Sequence, residues 1–222
     1  MTRPQRSRES FRRRPASVEP RACVLLVCGG SKTEPLYFRS LQRQLKLLPI
    51  EIVVVGQGEA PKTVVERAVE MREARRHEVR RGRKGFDYDH VWCVIDVEQP
   101  HENPSLLPAL NQARDTGISV ALSNPCFEYW FILHFADCGR PLIDQDGVMG
   151  ELKKHLPKYD KAQDVFDALW PSVDHAIRRA KMVKKSHERA GTERHHMDPS
   201  TEVDEVVELL RRTAVRPQPQ VT

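Results

Sequence analysis

The chain has 222 residues, 39% of them hydrophobic and 30% charged, with a formal net charge of +5. That length suits one compact domain with an appended lobe, and the charged share makes much of it solvated surface. No window has the apolar length of a membrane span and the N-terminus lacks an apolar signal region, so the composition speaks against a membrane protein and predicts a cytoplasmic one.

The excess charge is local. Residues 1–21 hold seven arginines, among them Arg12, Arg13 and Arg14, against Glu9 and Glu19, which accounts for the whole net charge. Residues 1–20 are polar and Arg- and Pro-containing, and are predicted to be a disordered basic tail. A basic tail on a neutral body is a common footprint for contact with nucleic acid. From residue 22 the pattern changes. "ACVLLVC" (22–28) is a continuous apolar run of strand length, as a strand buried on both faces requires. Two glycines follow, then "SKTE", a Ser-x-x-Glu capping box that predicts a helix with Pro35 in its first turn. "EIVVVG" (51–56) is a second buried strand, "GQGEAP" a loop, and a charged helix follows over about 61–81. "HVWCVID" (90–96) is a third strand. A helix over 104–116 stops at Gly117, and "ISVALS" (118–123) is a fourth strand. Strands alternating with helices predict an α/β fold with a mostly parallel sheet covered by helices on both faces.

After "SNP" the segment 126–135, "CFEYWFILHF", reads as a dense apolar helix with Glu128 and His134 its only ionisable side chains. Residues 136–150 read as loop. From Glu151 the chain reads helical with breaks at "LPKYD" and "LWPS". A polar hinge over 181–198 precedes a last helix at about 200–212. The five cysteines are odd in number and form no CxxC pair, which predicts reduced, buried thiols. His195 and His196 read as a solvated pair without matching ligands at zinc spacing, and His134 as a satisfied core histidine.

In parallel α/β sheets, sites gather at the carboxyl ends of strands. The first strand delivers Gly29, Gly30, Lys32 and Glu34. The third delivers Asp96 and Glu98, and the fourth Ser123 and Asn124, followed by Glu128. Carboxylates at alternate positions just past a strand suit a hard divalent cation, which takes one or two carboxylates, water and substrate phosphate. "GGSKTE" lacks the GxxxxGK[ST] spacing, so a nucleotide-hydrolysing P-loop is not indicated, and "GQGEAP" is not GxGxxG.

Four stretches, "VCGGSKTEPLYF", "YDHVWCVIDVE", "SNPCFEYWFILHF" and "MDPSTEVDEVVELL", taken together and in this order, resemble the RloB family. These proteins accompany restriction and phage-defence loci, and their core is similar to the Toprim fold. The resemblance runs from about residue 23 to 212. It implies a Toprim-like core over 21–135 and a helical extension packed on it over 136–213; the residues beyond, 214–222 with "RPQPQVT", read as a disordered tail. Toprim sites pair a glutamate at the end of the first strand with Asp-x-Asp at the end of the third. The family's first motif reads Cys-Glu-Gly, then Thr-Glu; here Cys28-Gly29-Gly30 precedes Thr33-Glu34, so Gly29 occupies the glutamate position. The Asp-x-Asp is Asp96-Val97-Glu98. The implied activity is phosphodiester cleavage with Mg²⁺ (or Mn²⁺), working with an ATPase partner and compatible with a homo-oligomer. Asp96 and Glu98 would hold the ion, Lys32 would stabilise phosphate charge, and Glu34 is the remaining candidate for proton transfer, with Glu128 a further acid nearby. Arg12, Arg13, Arg14 and Lys32 would contact DNA or RNA. Two alternatives use the same cradle without cleavage: a nucleic-acid-binding or assembly subunit with a degenerate site, and a small-nucleotide sensor.

Overall fold

The computed structural model describes residues 22–47, 50–54, 59–83, 85–97 and 103–214. The expectations for Arg12, Arg13, Arg14 and Glu98, and for the tail beyond Ala214, lie outside these residues. Strand β1 (Val24–Cys28) is buried throughout. Val24, Leu26 and Cys28 enter one apolar cluster and Leu25 and Val27 another, on the opposite face. That two-sided burial is why the strand reads as an unbroken apolar run instead of an alternating one. β2 (Ile50–Val54), β3 (His90–Asp96) and β4 (Ser119–Asn124) pair in parallel, in the order β2-β1-β3-β4. The fold is α/β with a mostly parallel sheet, consistent with a Toprim-like core.

One face carries α2 (Pro61–Arg80) and α3 (Leu106–Thr116). α3 ends at Gly117 in the left-handed region (φ 67°), a conformation glycine adopts without steric penalty. The other face carries α1 (Thr33–Gln44) and α4 (Glu128–Phe135). Beyond α4 lie α5 (Gln145–Leu152), α6 (Phe166–Leu169) and α7 (Val173–Arg189), while α8 (Val203–Ala214) returns to β4. α4 is therefore covered by the sheet on one side and by α5 and α7 on the other. Seven of its eight residues are buried, so it has no solvated face and shows no amphipathic period. All five cysteines are free and buried.

Four local readings need correction. Ser31 does not cap α1: the helix starts at Thr33 after Lys32, and no side chain caps it. The Glu34 carboxylate instead reaches back to the Gly30 N–H at 3.0 Å. The stretch 136–150 is not all loop, since α5 begins at Gln145 with Asp144 accepting from the Gly147 N–H. The hinge over 181–198 is helical as far as Arg189; the small buried face of α7, Val173, Ala176, Ile177 and Ala180, is masked in sequence by its charged outer face. The last helix starts at Val203, because Ser200–Thr201 form β5, antiparallel to β4 with Ser123 opposite Thr201.

Glu202, 5% exposed, ties this edge together. Its carboxylate accepts from Arg194, from Lys184 and from the Leu122 N–H, while Arg194 also donates to the Val120 carbonyl. Although burial opposes ionisation, Arg194 holds the Glu202 carboxyl below its ordinary range. Asp204, two residues on and 3% exposed, is in the opposite condition. Burial, reinforced by Glu205 and Glu208 and offset by Lys184 and Lys181, pushes its carboxyl up to about 7. An acid whose folded pKa exceeds its unfolded value favours the fold most below the unfolded pKa and loses that contribution as pH rises through the folded one. Asp204→Asn is therefore expected to be more stable than wild type at pH 8 by about 1–3 kcal/mol, less than the full shift because the α8 N-terminus favours the anion. The difference should nearly close by about pH 4, where the folded-state aspartate is protonated and the unfolded one about half so. His134, lowered to about 4 by burial, acts in the opposite sense below pH ~6.5. It is common to both proteins and cancels in the difference, which thermal melts across pH 4–8 would measure.

Candidate active site

The carboxyl ends of β1 and β3 and the first turns of α1, α2 and α4 meet around a cleft of about 270 Å³. Parallel strands deliver their ends to one edge, so Gly29 and Asp96 arrive together although 67 positions separate them. The Gly29 N–H bonds the Val94 carbonyl at 3.0 Å and the Val97 N–H the Ser123 carbonyl at 2.8 Å, which carries the sheet geometry up to the cleft. Glu34, Asp96 and Glu128 all line it, with Lys32 at the rim.

Each carboxylate has its own setting. Glu34 is 4% exposed, and burial pushes its carboxyl up. Nearby Glu128 adds to that, while backbone N–H donors and Lys161 pull it back. A β-carbon on Gly30 would sit 2.2 Å from Glu34 Oε1, so a glycine is needed there for this carboxylate to fold over the loop. Glu128, 1% exposed in the first turn of α4, accepts from Thr33 Oγ1 at 2.9 Å and from the Tyr159 hydroxyl at 3.3 Å. Lys161 Nζ lies 3.8 Å from the same oxygen. Burial keeps the Tyr159 phenol protonated and a donor. Cys126, buried just before α4, has its thiol pushed well above the ordinary range, by burial first and then by Asp96 and Glu128, which keeps it protonated.

The cleft thus brings together Gly29, Gly30, Lys32, Glu34, Asp96 and Glu128 from the sequence reading. Thr33, Tyr159 and Lys161 were not singled out. Thr33 stands inside the Thr-Glu motif. Tyr159 and Lys161 come from the link between α5 and α6 and carry no local signal, since only the fold sets them against Glu128. Tyr159 and Lys161 therefore make the helical extension part of the site.

A family model described as RloB-like protein matches residues 24–210. The chain belongs to the RloB-like family. The RloB-like match begins at the first residue of β1 and ends within α8, so it takes in the strands that supply Gly29 and Asp96 and also the extension that supplies Tyr159 and Lys161. No curated protein and no solved structure matches the chain significantly. Among the described residues no helix is long and apolar enough to cross a membrane.

Proposed function

We propose that this RloB-like chain is a cytoplasmic, nucleic-acid-processing component of a prokaryotic phage-defence system, acting on phosphodiester bonds with Mg²⁺ or Mn²⁺ and with an ATPase partner. The observation that supports this most is the meeting of three carboxylates, Glu34, Asp96 and Glu128, with Lys32 and Lys161 around one cleft at the sheet's carboxyl edge. An all-oxygen donor set suits a hard divalent cation. Asp96 would hold the ion, with Glu98 as the second ligand expected from the motif. Such an ion polarises a phosphoryl oxygen and neutralises developing charge.

The chain's own groups have separable tasks. Lys32 and Lys161, which line the cleft, would supply positive charge to the phosphate. Glu34, with its raised pKa, is placed to give or take a proton. Tyr159 and Thr33 orient Glu128 by donating to it. A second reading, a binding or assembly subunit without turnover, is favoured by one observation: Gly29 offers no side chain where the family's first motif has a glutamate.

Labelled single- and double-stranded DNA and RNA, incubated with Mg²⁺ or with chelator, test the proposal. Weak cation-dependent cleavage that disappears in Asp96→Ala supports processing, whereas binding without turnover supports the second reading. Deleting residues 1–20 is expected to weaken nucleic-acid binding mainly at low salt and to leave the fold intact. Residues 1–20 hold six arginines against two glutamates, which is four of the five net positive charges, and their attraction to phosphate is screened by salt. Affinity measured from about 50 to 200 mM salt checks this, and an unchanged salt slope would exclude the tail as a phosphate-binding arm.

A further inference from the structure

Away from the cleft, the turn between α7 and β5 gathers a different donor set. Arg194–His196 form a single 3-10 turn after Glu193. This folds Glu193 Oε2 to 3.6 Å from His195 Nε2 and 4.0 Å from His196 Nε2. The two imidazoles lie side by side with ring centroids 4.1 Å apart, and one ligand atom from each of the three residues falls within 4.8 Å of the others. Zinc binds imidazole nitrogen and carboxylate oxygen at about 2.0–2.2 Å, which puts two ligands of one tetrahedral ion about 3.4 Å apart. The cluster is therefore within about 1.4 Å of a ligating arrangement. Glu193 Oε2 is already close to that spacing from both histidines, so the remaining movement falls between the two imidazole rings.

The backbone beneath the cluster is held from both sides. Asn124, the last residue of β4, donates from Nδ2 to the His195 carbonyl at 3.3 Å. Arg194 is bound by Glu202 and the Val120 carbonyl, so its charge is already matched and does not oppose a cation next to it. The His196 N–H closes the turn on the Glu193 carbonyl at 2.8 Å. A turn so fixed presents its histidines in one register before any ion arrives, which lowers the ordering that binding requires.

We infer that Glu193, His195 and His196 form a binding site for one divalent transition metal of the zinc class, with a further coordination position open to water. Imidazole nitrogen selects such ions over Mg²⁺, so this site differs in chemistry from the all-oxygen cleft. It anchors the turn between α7 and β5 to the end of β4, the strand whose Ser123 pairs with Asp96. The assignment is independent of the proposed activity.

Calorimetric titration of the full chain with ZnCl₂, and separately with MgCl₂, tests it. One zinc per chain is expected, uncontested by excess Mg²⁺. Binding should be lost in His196→Ala and weakened at least about 10-fold in Glu193→Gln, since removing even an outer-shell partner of a metal ligand costs that much. If His196→Ala fails to fold, Glu193→Gln decides, because that side chain is exposed. Cobalt substitution reports the ligands directly, and the expected visible spectrum has d–d bands without thiolate charge transfer. No zinc uptake by wild type, equal uptake by Glu193→Gln, or a thiolate band would each overturn the assignment.

Discussion

Gly29→Glu is expected to raise Mg²⁺-dependent cleavage above a weak wild-type level by up to about 10²-fold, the lower range of what a positioned acid or base contributes. The substitution would supply the first-strand carboxylate that the family resemblance implies at the position Gly29 occupies here. Sterically it is permitted. A β-carbon at Gly29 would meet Val64 Cγ2 and the Val94 carbonyl oxygen at 3.4 Å each, close to ordinary contact. Gly29 is not among the glycines at positive φ, so a side chain adds no backbone strain there. The neighbouring position is the control. Gly30→Glu would drive its β-carbon into the Glu34 carboxylate and displace it from the loop, and is expected to lose activity instead of gaining it. Initial rates of the three proteins at saturating Mg²⁺ check this, and an inactive Gly29→Glu that still binds nucleic acid would favour the binding-subunit reading.

Trp130→Ala is expected to destabilise the protein by about 3–5 kcal/mol, a large part of a typical domain's total stability. Trp130 is fully buried in the first turn of α4. Its indole meets Tyr37 edge-on at 6.4 Å and His134 at 4.7 Å, so removal leaves a void between the sheet and the helical extension. For a fold of this size the loss corresponds to a melting temperature lower by about 10 °C. A thermal melt decides it, and an unchanged midpoint would mean that α4 is not the joint between core and extension.

The parts of the fold that declare themselves in sequence are those whose burial is extreme. β1, β3 and β4 are apolar runs because both faces are covered, and α4 is uniformly apolar because it is covered all round. β5 leaves no such trace, since Ser200–Thr201 is two polar residues whose strand character comes from pairing with β4 alone. α7 is legible only once its four small buried residues are separated from the charges between them. The site divides in the same way. Gly29, Glu34 and Asp96 follow from the rule that strand ends converge, and Glu128 from the family motif. Tyr159 and Lys161 lie about 30 residues along the chain from Glu128, in a link without periodicity, and reach it only through the packing of the extension. Likewise, "ERHH" shows two histidines and an acid, but the 3-10 turn that points them together is a property of the folded chain.

Under the proposed function the cleft is a cation-dependent phosphodiester site complete but for its first-strand carboxylate. Cleavage by Gly29→Glu beside the double variant Gly29→Glu/Asp96→Ala, on the same single- and double-stranded substrates with Mg²⁺, tests it most directly. The activity gained at position 29 is expected to fall to background when Asp96 is removed. Cleavage that survives the loss of Asp96, or robust wild-type cleavage that Gly29→Glu does not raise, would contradict it.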